Sequence, residues 1–437
     1  MGLNKKTVRD ISLTGKRVLL RADYNVPVVG GKISDDYRIK QTLPTIEYIL
    51  RQKPAYLIII SHLGRPQSPK DKQYSLKPVA QHLSKLLGRA VRFAHDCVGD
   101  ETKRIAAGLK NSELLVLENL RFYPQEEKNG NEFAKALVET TGAEVFVQDG
   151  FGVVHREHAS TAAITKLLPS VAGLLLENEV EVITKVMEEP DKPLVAIIGG
   201  AKISDKIDVL RRLINLADCV AVGGAMANNF LKIEGHEIGQ SLYDYVDLGI
   251  AHDILAAART EEKRRPFSFV LPSDVVVSKS MDGKKPTRIV DISSHTLADI
   301  ESYPKVPARS TYTIGEGESI VDIGPISAAH IAGILNFART IIWNGTMGIT
   351  EVKGVGGTEA PFAHGTRTIV DAIIGLSNIH PKKPFSLVGG GDTVGYVEGQ
   401  ALIEDFNHVS TGGATTLELL SGKKLPGIEA LLDKHSA

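Results

Sequence analysis

The sequence predicts an α/β protein of two domains, each a mostly parallel sheet flanked by helices, joined by a long helix and a hinge. Three observations carry this. Short β-rich apolar runs alternate with helical patterns along all 437 residues. Many of the runs are apolar on consecutive residues, the pattern of strands buried on both faces of a parallel sheet. The pattern breaks once, at Pro190-Asp191-Lys192-Pro193, directly after a stretch that reads as one long helix.

The elements follow in order. In the first half, strands are expected at 17–26, 56–61, 114–120 and 144–148, with helices at 76–87 and 133–140. The connecting helix is expected over 175–189, carrying Leu176, Val180, Ile183, Val186 and Met187. In the second half, strands are expected at 194–198, 219–222, 267–271, 340–343 and 385–388, with helices at 203–216 and 327–338. The stretch 280–318, rich in Lys, Ser, Thr and Pro, reads as a surface excursion, and 354–357 as a second inserted loop. The expected domains are 1–175, a linking helix and hinge at 176–193, a second domain at 194–405, and a C-terminal segment at 406–437.

Composition excludes several classes. With 51 Lys+Arg against 52 Asp+Glu, the net charge of −1 gives no bulk attraction to nucleic acid or acidic membranes. Two cysteines, Cys97 and Cys219, cannot build a disulfide scaffold or a cysteine zinc site. The best apolar run, 171–176, is too short to span a bilayer, and the first residues lack the apolar segment of a secretory signal. The expectation is a cytoplasmic, monomeric protein with no nucleic-acid or membrane partner.

Chemistry-bearing residues fall just after the expected strands. In the first half these are Asp23 and Asn25, then Arg38, then His62-Leu63-Gly64-Arg65, then Arg121, then Asp149-Gly150-Phe151-Gly152 with His155-Arg156. Each arginine alone reads as a solvated surface charge. As a set at strand ends they read as a site for a small anion with more than one charged group, because the guanidinium fork suits carboxylate and phosphate. In the second half, Gly199-Gly200-Ala201-Lys202 lies between a strand and a helix, with Lys206 one turn on. Two more glycine turns, Gly223-Gly224 and Gly389-Gly390-Gly391-Asp392-Thr393, also follow strands. A glycine turn is often no more than a chain reversal. Three of them with Lys202 and Asp392 read as a magnesium-nucleotide site, although the Walker A spacing is absent.

These motifs together resemble phosphoglycerate kinase over nearly the whole chain. The matching stretches include Arg21-Ala22-Asp23-Tyr24-Asn25-Val26-Pro27, Ser61-His62-Leu63-Gly64-Arg65-Pro66 and Glu118-Asn119-Leu120-Arg121-Phe122. Further along come Gly199-Gly200-Ala201-Lys202, Asp322-Ile323-Gly324-Pro325, Trp343-Asn344-Gly345, Gly389-Gly390-Gly391-Asp392-Thr393 and Val409-Ser410-Thr411-Gly412-Gly413. The resemblance implies a glycolytic and gluconeogenic enzyme that moves a phosphoryl group reversibly between ATP and the carboxylate of 3-phosphoglycerate, giving 1,3-bisphosphoglycerate and ADP, with Mg2+ and hinge-bending closure. It implies 3-phosphoglycerate contacts from Asp23, Tyr24, Asn25, Arg38, His62, Gly64, Arg65, Arg121 and Arg156. Nucleotide contacts are implied for Lys202, Lys206, Gly223, Gly224, Val321, Asn344, Ile349, Glu351, Gly390, Gly391, Asp392 and Thr393, with Asp392 toward the metal. Arg38, Lys202, Gly391 and Gly413 would act on the transferring group, and the 406–437 segment would return to the N-terminal domain.

The chain departs from the family pattern at Thr346 (usually proline), Gly150 (usually alanine), Gly412-Gly413-Ala414-Thr415 (usually a third glycine) and Glu157 (usually small). Threonine at 346 is expected to leave its loop freer than proline would, so that Thr346→Pro should tighten nucleotide binding. Two alternatives stand beside the kinase. One is a catalytically weakened paralogue serving as a binding or scaffold protein. The other is a dinucleotide oxidoreductase, against which the missing G-x-G-x-x-G turn speaks.

Overall fold

The computed structural model describes residues 2–293, 313–354, 360–379 and 383–434. The chain divides into two compact units, Met1–Lys185 with Ala414–Ala437, and Val186–Gly413.

The first unit is built on a six-stranded parallel sheet. Its spatial order is Val91–Phe93, Glu113–Val116, Tyr56–Ile60, Arg17–Arg21, Val145–Gln148, Ser170–Ala172. The Tyr-Leu-Ile-Ile-Ile strand at the centre is buried at every position, which explains its unalternating sequence. Each such side chain contributes about 1.5–3 kcal/mol on burial. Core clusters on the two faces are centred on Leu20, Ile46 and Leu83, and on Ile58, Leu115 and Phe146. The helices Lys77–Leu87 and Asn131–Thr141 stop where Gly88 and Gly142 turn left-handed.

The second unit carries a six-stranded parallel sheet in the order Ser268–Val270, Cys219–Val222, Leu194–Ile198, Thr340–Asn344, Phe385–Gly389, His408–Val409. Beside it lies a three-stranded antiparallel sheet, Thr287–Asp291, Asp274–Ser278, Ser319–Ile323.

Several expectations change. The expected strand 17–26 ends at Arg21, after which the chain leaves the sheet to form a loop held by Tyr24 N–H on Ser61 Oγ at 2.8 Å. The expected strand 114–120 ends at Val116, and Leu120–Phe122 is a short 3₁₀ turn capped by Asn119. The connecting helix runs Leu174–Glu188, and the chain passes from one unit to the other near its end. The stretch read as a surface excursion contains the strand Thr287–Asp291; within it, residues 294–312 lie outside the described residues, as do 355–359 of the second expected insertion. The C-terminal segment joins the first unit at Ala414 and not at 406, because His408–Val409 pairs with Phe385–Gly389 as the edge strand of the second sheet. No helix of the described residues is long and apolar enough to cross a membrane.

Candidate functional site

Strand order marks one candidate site in each unit. In the second unit, numbering its parallel strands along the chain gives 3-2-1-4-5-6, the doubly wound order, with its switch point between Leu194–Ile198 and Thr340–Asn344. Ligands bind outside the carboxyl ends of strands at such a point. Gly199-Gly200-Ala201-Lys202 follows the first of these strands and Gly345 the second. In the first unit the direction of winding reverses between Arg17–Arg21 and Val145–Gln148. There the following residues are Asp23-Tyr24-Asn25 and Asp149-Gly150-Phe151-Gly152.

The candidate site of the first unit is an arginine cluster fastened by short polar contacts. Arg38 Nη1 donates to Asp23 Oδ2 at 3.0 Å, and Asp23 is almost wholly buried. Asn25 Oδ1 accepts from Gly64 N–H at 2.9 Å, and Arg121 Nη1 donates to Gly64 O at 2.8 Å. Gly64 has φ +59, and a Cβ there would stand 2.3 Å from the Tyr74 ring, so this turn requires glycine. Arg156 Nε donates to His155 Nε2 at 2.9 Å, and His155 Nδ1 lies 2.6 Å from Thr415 Oγ1. Since Nε2 accepts, Nδ1 carries the proton and donates to Thr415. Arg65 is exposed beside Gly64. Tyr24 departs from the expectation: its side chain is wholly buried in the apolar core, so it is not presented to a ligand. Gly150 has a steric reason, since a Cβ would meet Ala22 C at 3.1 Å and Asp23 N at 3.2 Å.

The charge here is arginine charge. Burial, and then Arg21 and Arg121, hold His62 well below its ordinary value. Burial and the neighbouring Arg156 push His155 down to about 4, and burial and Arg21 push His158 to about 3. All three imidazoles are neutral at pH 7. Arg121 is itself lowered, by burial and then by Arg156, although Glu127 opposes this at 3.0 Å. Crowded guanidinium groups of this kind are relieved by an anion.

The candidate site of the second unit is a set of interlocked turns. Gly199 N–H donates to Asn344 O at 2.9 Å, Gly200 N–H to Thr346 O at 3.1 Å, and Gly224 N–H to Met347 O at 3.1 Å. Gly223 N–H donates to Ile198 O at 3.0 Å. Lys206, buried, donates from Nζ to Gly199 O at 2.5 Å and Asn344 O at 3.0 Å, bridging the two strand ends at the switch point. Burial lowers its ammonium to about 8, while Asp392 and Asp205 oppose the shift. Gly345, at φ +104, leaves no room for a Cβ, which would lie 2.2 Å from Gly199 O and 2.7 Å from the Lys206 ammonium. Thr393 Oγ1 accepts from Gly345 N–H at 2.6 Å. A Cβ on Gly390 would meet the Asn344 amide at 3.2 Å, so these two adjoin.

Val321 and Ile349 pack with Val276 and Phe362 in a small apolar cluster, and Ile349 N–H donates to Val321 O at 3.1 Å. Lys202 and Glu351 are exposed. Gly391 opens the helix Gly391–Gly399 with exposed Asp392 in its first turn, and Gly413 directly precedes the helix Ala414–Leu420. The Thr346 loop is not free. Thr346 is buried, its carbonyl holds Gly200, and Met347 N–H donates to Thr366 Oγ1 at 3.0 Å. The freedom that proline was expected to remove is already gone.

The family model described as phosphoglycerate kinase matches residues 8–423. The chain belongs to the phosphoglycerate kinase family. It is 41% identical over 430 residues to the phosphoglycerate kinase of Pelotomaculum thermopropionicum, covering 98% of this chain and 100% of that one. It is 42% identical over 433 residues to that of Dictyoglomus turgidum, with the same coverage, 98% and 100%. Among solved structures it is similar to the phosphoglycerate kinases of Coxiella burnetii, at TM-score 0.77 and 35% identity, and Pyrococcus horikoshii, at TM-score 0.78 and 28% identity. Each comparison covers 98% of both chains.

The site residues taken from the motifs are mainly charges and glycines, and two polar residues of the same motifs that lie beneath them are given no role there. Asn119 is one. Its Oδ1 accepts from Leu63 N–H at 3.2 Å and Arg121 N–H at 3.0 Å, and its Nδ2 donates to Leu63 O at 2.7 Å, joining the His62 loop to the Arg121 turn. Arg21 is another. Its signal in the sequence is a guanidinium at the end of an apolar strand, where only a buried partner could keep it.

As for a metal, among the described residues no group of three or more His, Cys, Asp or Glu could hold an ion. A single exposed carboxylate, Asp392, at the glycine turn opening the helix Gly391–Gly399 would suit Mg2+ that arrives already bound to phosphates, since Mg2+ commonly uses one or two carboxylates plus substrate phosphates.

Proposed function

We propose that this chain catalyses reversible phosphoryl transfer between MgATP and the carboxylate of 3-phosphoglycerate, giving 1,3-bisphosphoglycerate and ADP, the step that glycolysis and gluconeogenesis run in opposite directions. The observation that carries the reading is the presence of both candidate sites, one in each unit, in a member of this family. An arginine cluster with neutral imidazoles stands at one switch point, and a glycine-lysine cradle at the other.

The acceptor carboxylate is already ionised at neutral pH, so no base is needed to activate it. That agrees with imidazoles held uncharged as hydrogen-bonding groups. The work of the site is positioning and charge stabilisation. Arg38, Arg65, Arg121 and Arg156, with Asp23, Asn25, His62 and Gly64, hold 3-phosphoglycerate. Lys206, Gly223, Gly224, Val321, Asn344, Ile349, Glu351, Gly390 and Thr393 hold the nucleotide. Magnesium, entering with ATP beside Asp392, supplies charge neutralisation on the phosphates. Arg38 and Lys202 stabilise the charge on the transferring group, assisted by the N–H groups of Gly391 and Gly413. The two candidate sites belong to separate compact units, so turnover requires hinge-bending closure, which also excludes water. A monomeric, cytoplasmic protein fits the same reading, and Cys97 and Cys219 are both unpaired. No observation favours the weakened paralogue, because none of these charged groups is replaced.

The test is ADP release with MgATP and 3-phosphoglycerate, against parallel reactions with glycerate and with glycerol 3-phosphate. Release only with the acceptor that has both a carboxylate and a phosphate supports the reading. Equal rates in all three reactions contradict it.

A further inference from the structure

Beneath the arginine cluster lies a buried polar network that the phosphoryl-transfer scheme does not use. Arg21 and Glu126 are both wholly buried. Arg21 Nε donates to Ser160 Oγ at 2.9 Å, and Ser160 Oγ in turn donates to Glu126 Oε1 at 2.5 Å. Ser160 N–H donates to Glu126 Oε2 at 3.0 Å, and the Arg21 guanidinium is 3.9 Å from Glu126 Oε1. Directions are fixed by chemistry: guanidinium only donates, so the serine hydroxyl must pass its own proton to the carboxylate. At its far end Arg21 Nη2 lies 3.2 Å from His62 Nδ1. Again only the guanidinium can donate, so Nδ1 is bare and the neutral ring keeps its proton on Nε2.

The reach of Glu126 is wide. Its carboxylate holds Ser160, four residues beyond Arg156, and its carbonyl accepts from Ala159 N–H at 2.9 Å. Its own N–H donates to Tyr123 O at 3.0 Å, closing the turn that directly follows the 3₁₀ turn Leu120–Phe122 that carries Arg121. Through Arg21 it touches the strand end before Asp23 and the loop of His62. Four of the five segments that supply the anion-binding residues, all but the helix of Arg38, therefore meet at Glu126 or its partner Arg21. A lone buried guanidinium would be costly, and removing one partner of such a pair is far more damaging than never having had it.

We propose that Glu126 is a positioning residue for the anion site: acting through Ser160 and Arg21, it locks His62 in the Nε2–H form, so that the ring has a single donor to offer an anionic oxygen. This rests on the 3-phosphoglycerate reading for the identity of the anion, but not for the network.

The tests use the full chain. In wild type, imidazole 15N spectra show His62 with bare Nδ1 and protonated Nε2 at pH 7. A mixture of tautomers in wild type overturns the proposal outright. Glu126→Gln keeps the shape but removes the charge. His62 then populates both tautomers, and KM for 3-phosphoglycerate rises about ten-fold. KM for MgATP stays within about two-fold, and kcat falls less than KM rises. Ser160→Ala keeps both charges and removes only the relay; it mixes the tautomers with a smaller rise in the same KM, and serves if Glu126→Gln fails to fold. A single Nε2–H tautomer with unchanged KM in a folded variant, or equal loss for both substrates, assigns Glu126 to stability alone and overturns the proposal. Absence of turnover with 3-phosphoglycerate in wild type would instead sink the substrate reading, while the spectra would still report on the network.

Discussion

Lys206→Met separates a buried structural lysine from one that meets nucleotide phosphate. The ammonium makes two charge-assisted bonds to carbonyls, worth about 1.5–3 kcal/mol each. Burial that takes it from 10.5 to about 8 costs about 3 kcal/mol. These nearly offset, so the variant is expected to fold. The sign of the pH effect follows from the lowered value: Lys206 is charged below about pH 8 and loses its proton above it. A bound phosphate would raise it again, so binding takes up a proton at high pH. The charged fraction falls from about nine-tenths at pH 7 to about one-tenth at pH 9, and MgADP affinity should fall about ten-fold over that interval. In Lys206→Met the affinity at pH 7 is about ten- to a hundred-fold weaker, and the slope attributed to this lysine is lost. Calorimetric titration with MgADP at pH 7, 8 and 9 measures both. Equal slopes in wild type and variant would refute the argument and leave Lys206 a strap between strand ends.

Further outcomes are expected elsewhere. Lys202→Ala and Arg38→Ala should each lower kcat by about 10²–10³ with a much smaller rise in KM, as loss of a charge acting on the transition state does; steady-state kinetics with near-normal turnover would remove that role. Asp392→Ala should weaken MgATP binding while 3-phosphoglycerate binding to the intact chain stays nearly constant, and equal calorimetric losses for both ligands would contradict the division between units. Asp149 is buried at the start of the helix Leu174–Glu188, where Oδ1 accepts from Leu175 N–H at 3.0 Å, and burial pushes its carboxyl up to about 7. The folded state therefore favours the protonated acid, and the stability this group contributes falls as pH rises from about 4 to 7. Asp149→Asn should gain on wild type between pH 5 and pH 8 in urea midpoints, whereas a constant difference would place the carboxyl in its ordinary range.

The sequence makes the parallel sheets legible because buried strands such as Tyr56–Ile60 need no alternation and are flanked by turn residues. The three-stranded antiparallel sheet is not legible: its edge strand Thr287–Asp291 is polar and mostly outward, and its central strand Asp274–Ser278 takes its other partner, Ser319–Ile323, from across a long stretch of chain. The charged side chains of the site could be read because strand ends announce them. Their state could not. Nothing in the sequence says that burial, and then Arg21, hold the His62 imidazole well below its ordinary value. Lys206 reads in the sequence as a phosphate contact one turn past the glycines, and its burial depends on Gly199 and Asn344 meeting across the switch point. Tyr24, read as a substrate contact by its position in a motif, has its side chain wholly buried in the core, while its N–H is tied to Ser61 Oγ. Thr346 was judged by what proline would restrict, but the loop is restrained by bonds to residues far away in sequence, Gly200 and Thr366 among them.

The central claim is transfer to a carboxylate, and the product tests it most directly. MgATP, 3-phosphoglycerate and the protein are incubated with hydroxylamine, which traps an acyl phosphate as hydroxamate. The account predicts hydroxamate formed in step with ADP, one for one, and abolished in Arg38→Ala. ADP formed without hydroxamate, or hydroxamate absent altogether, would contradict it.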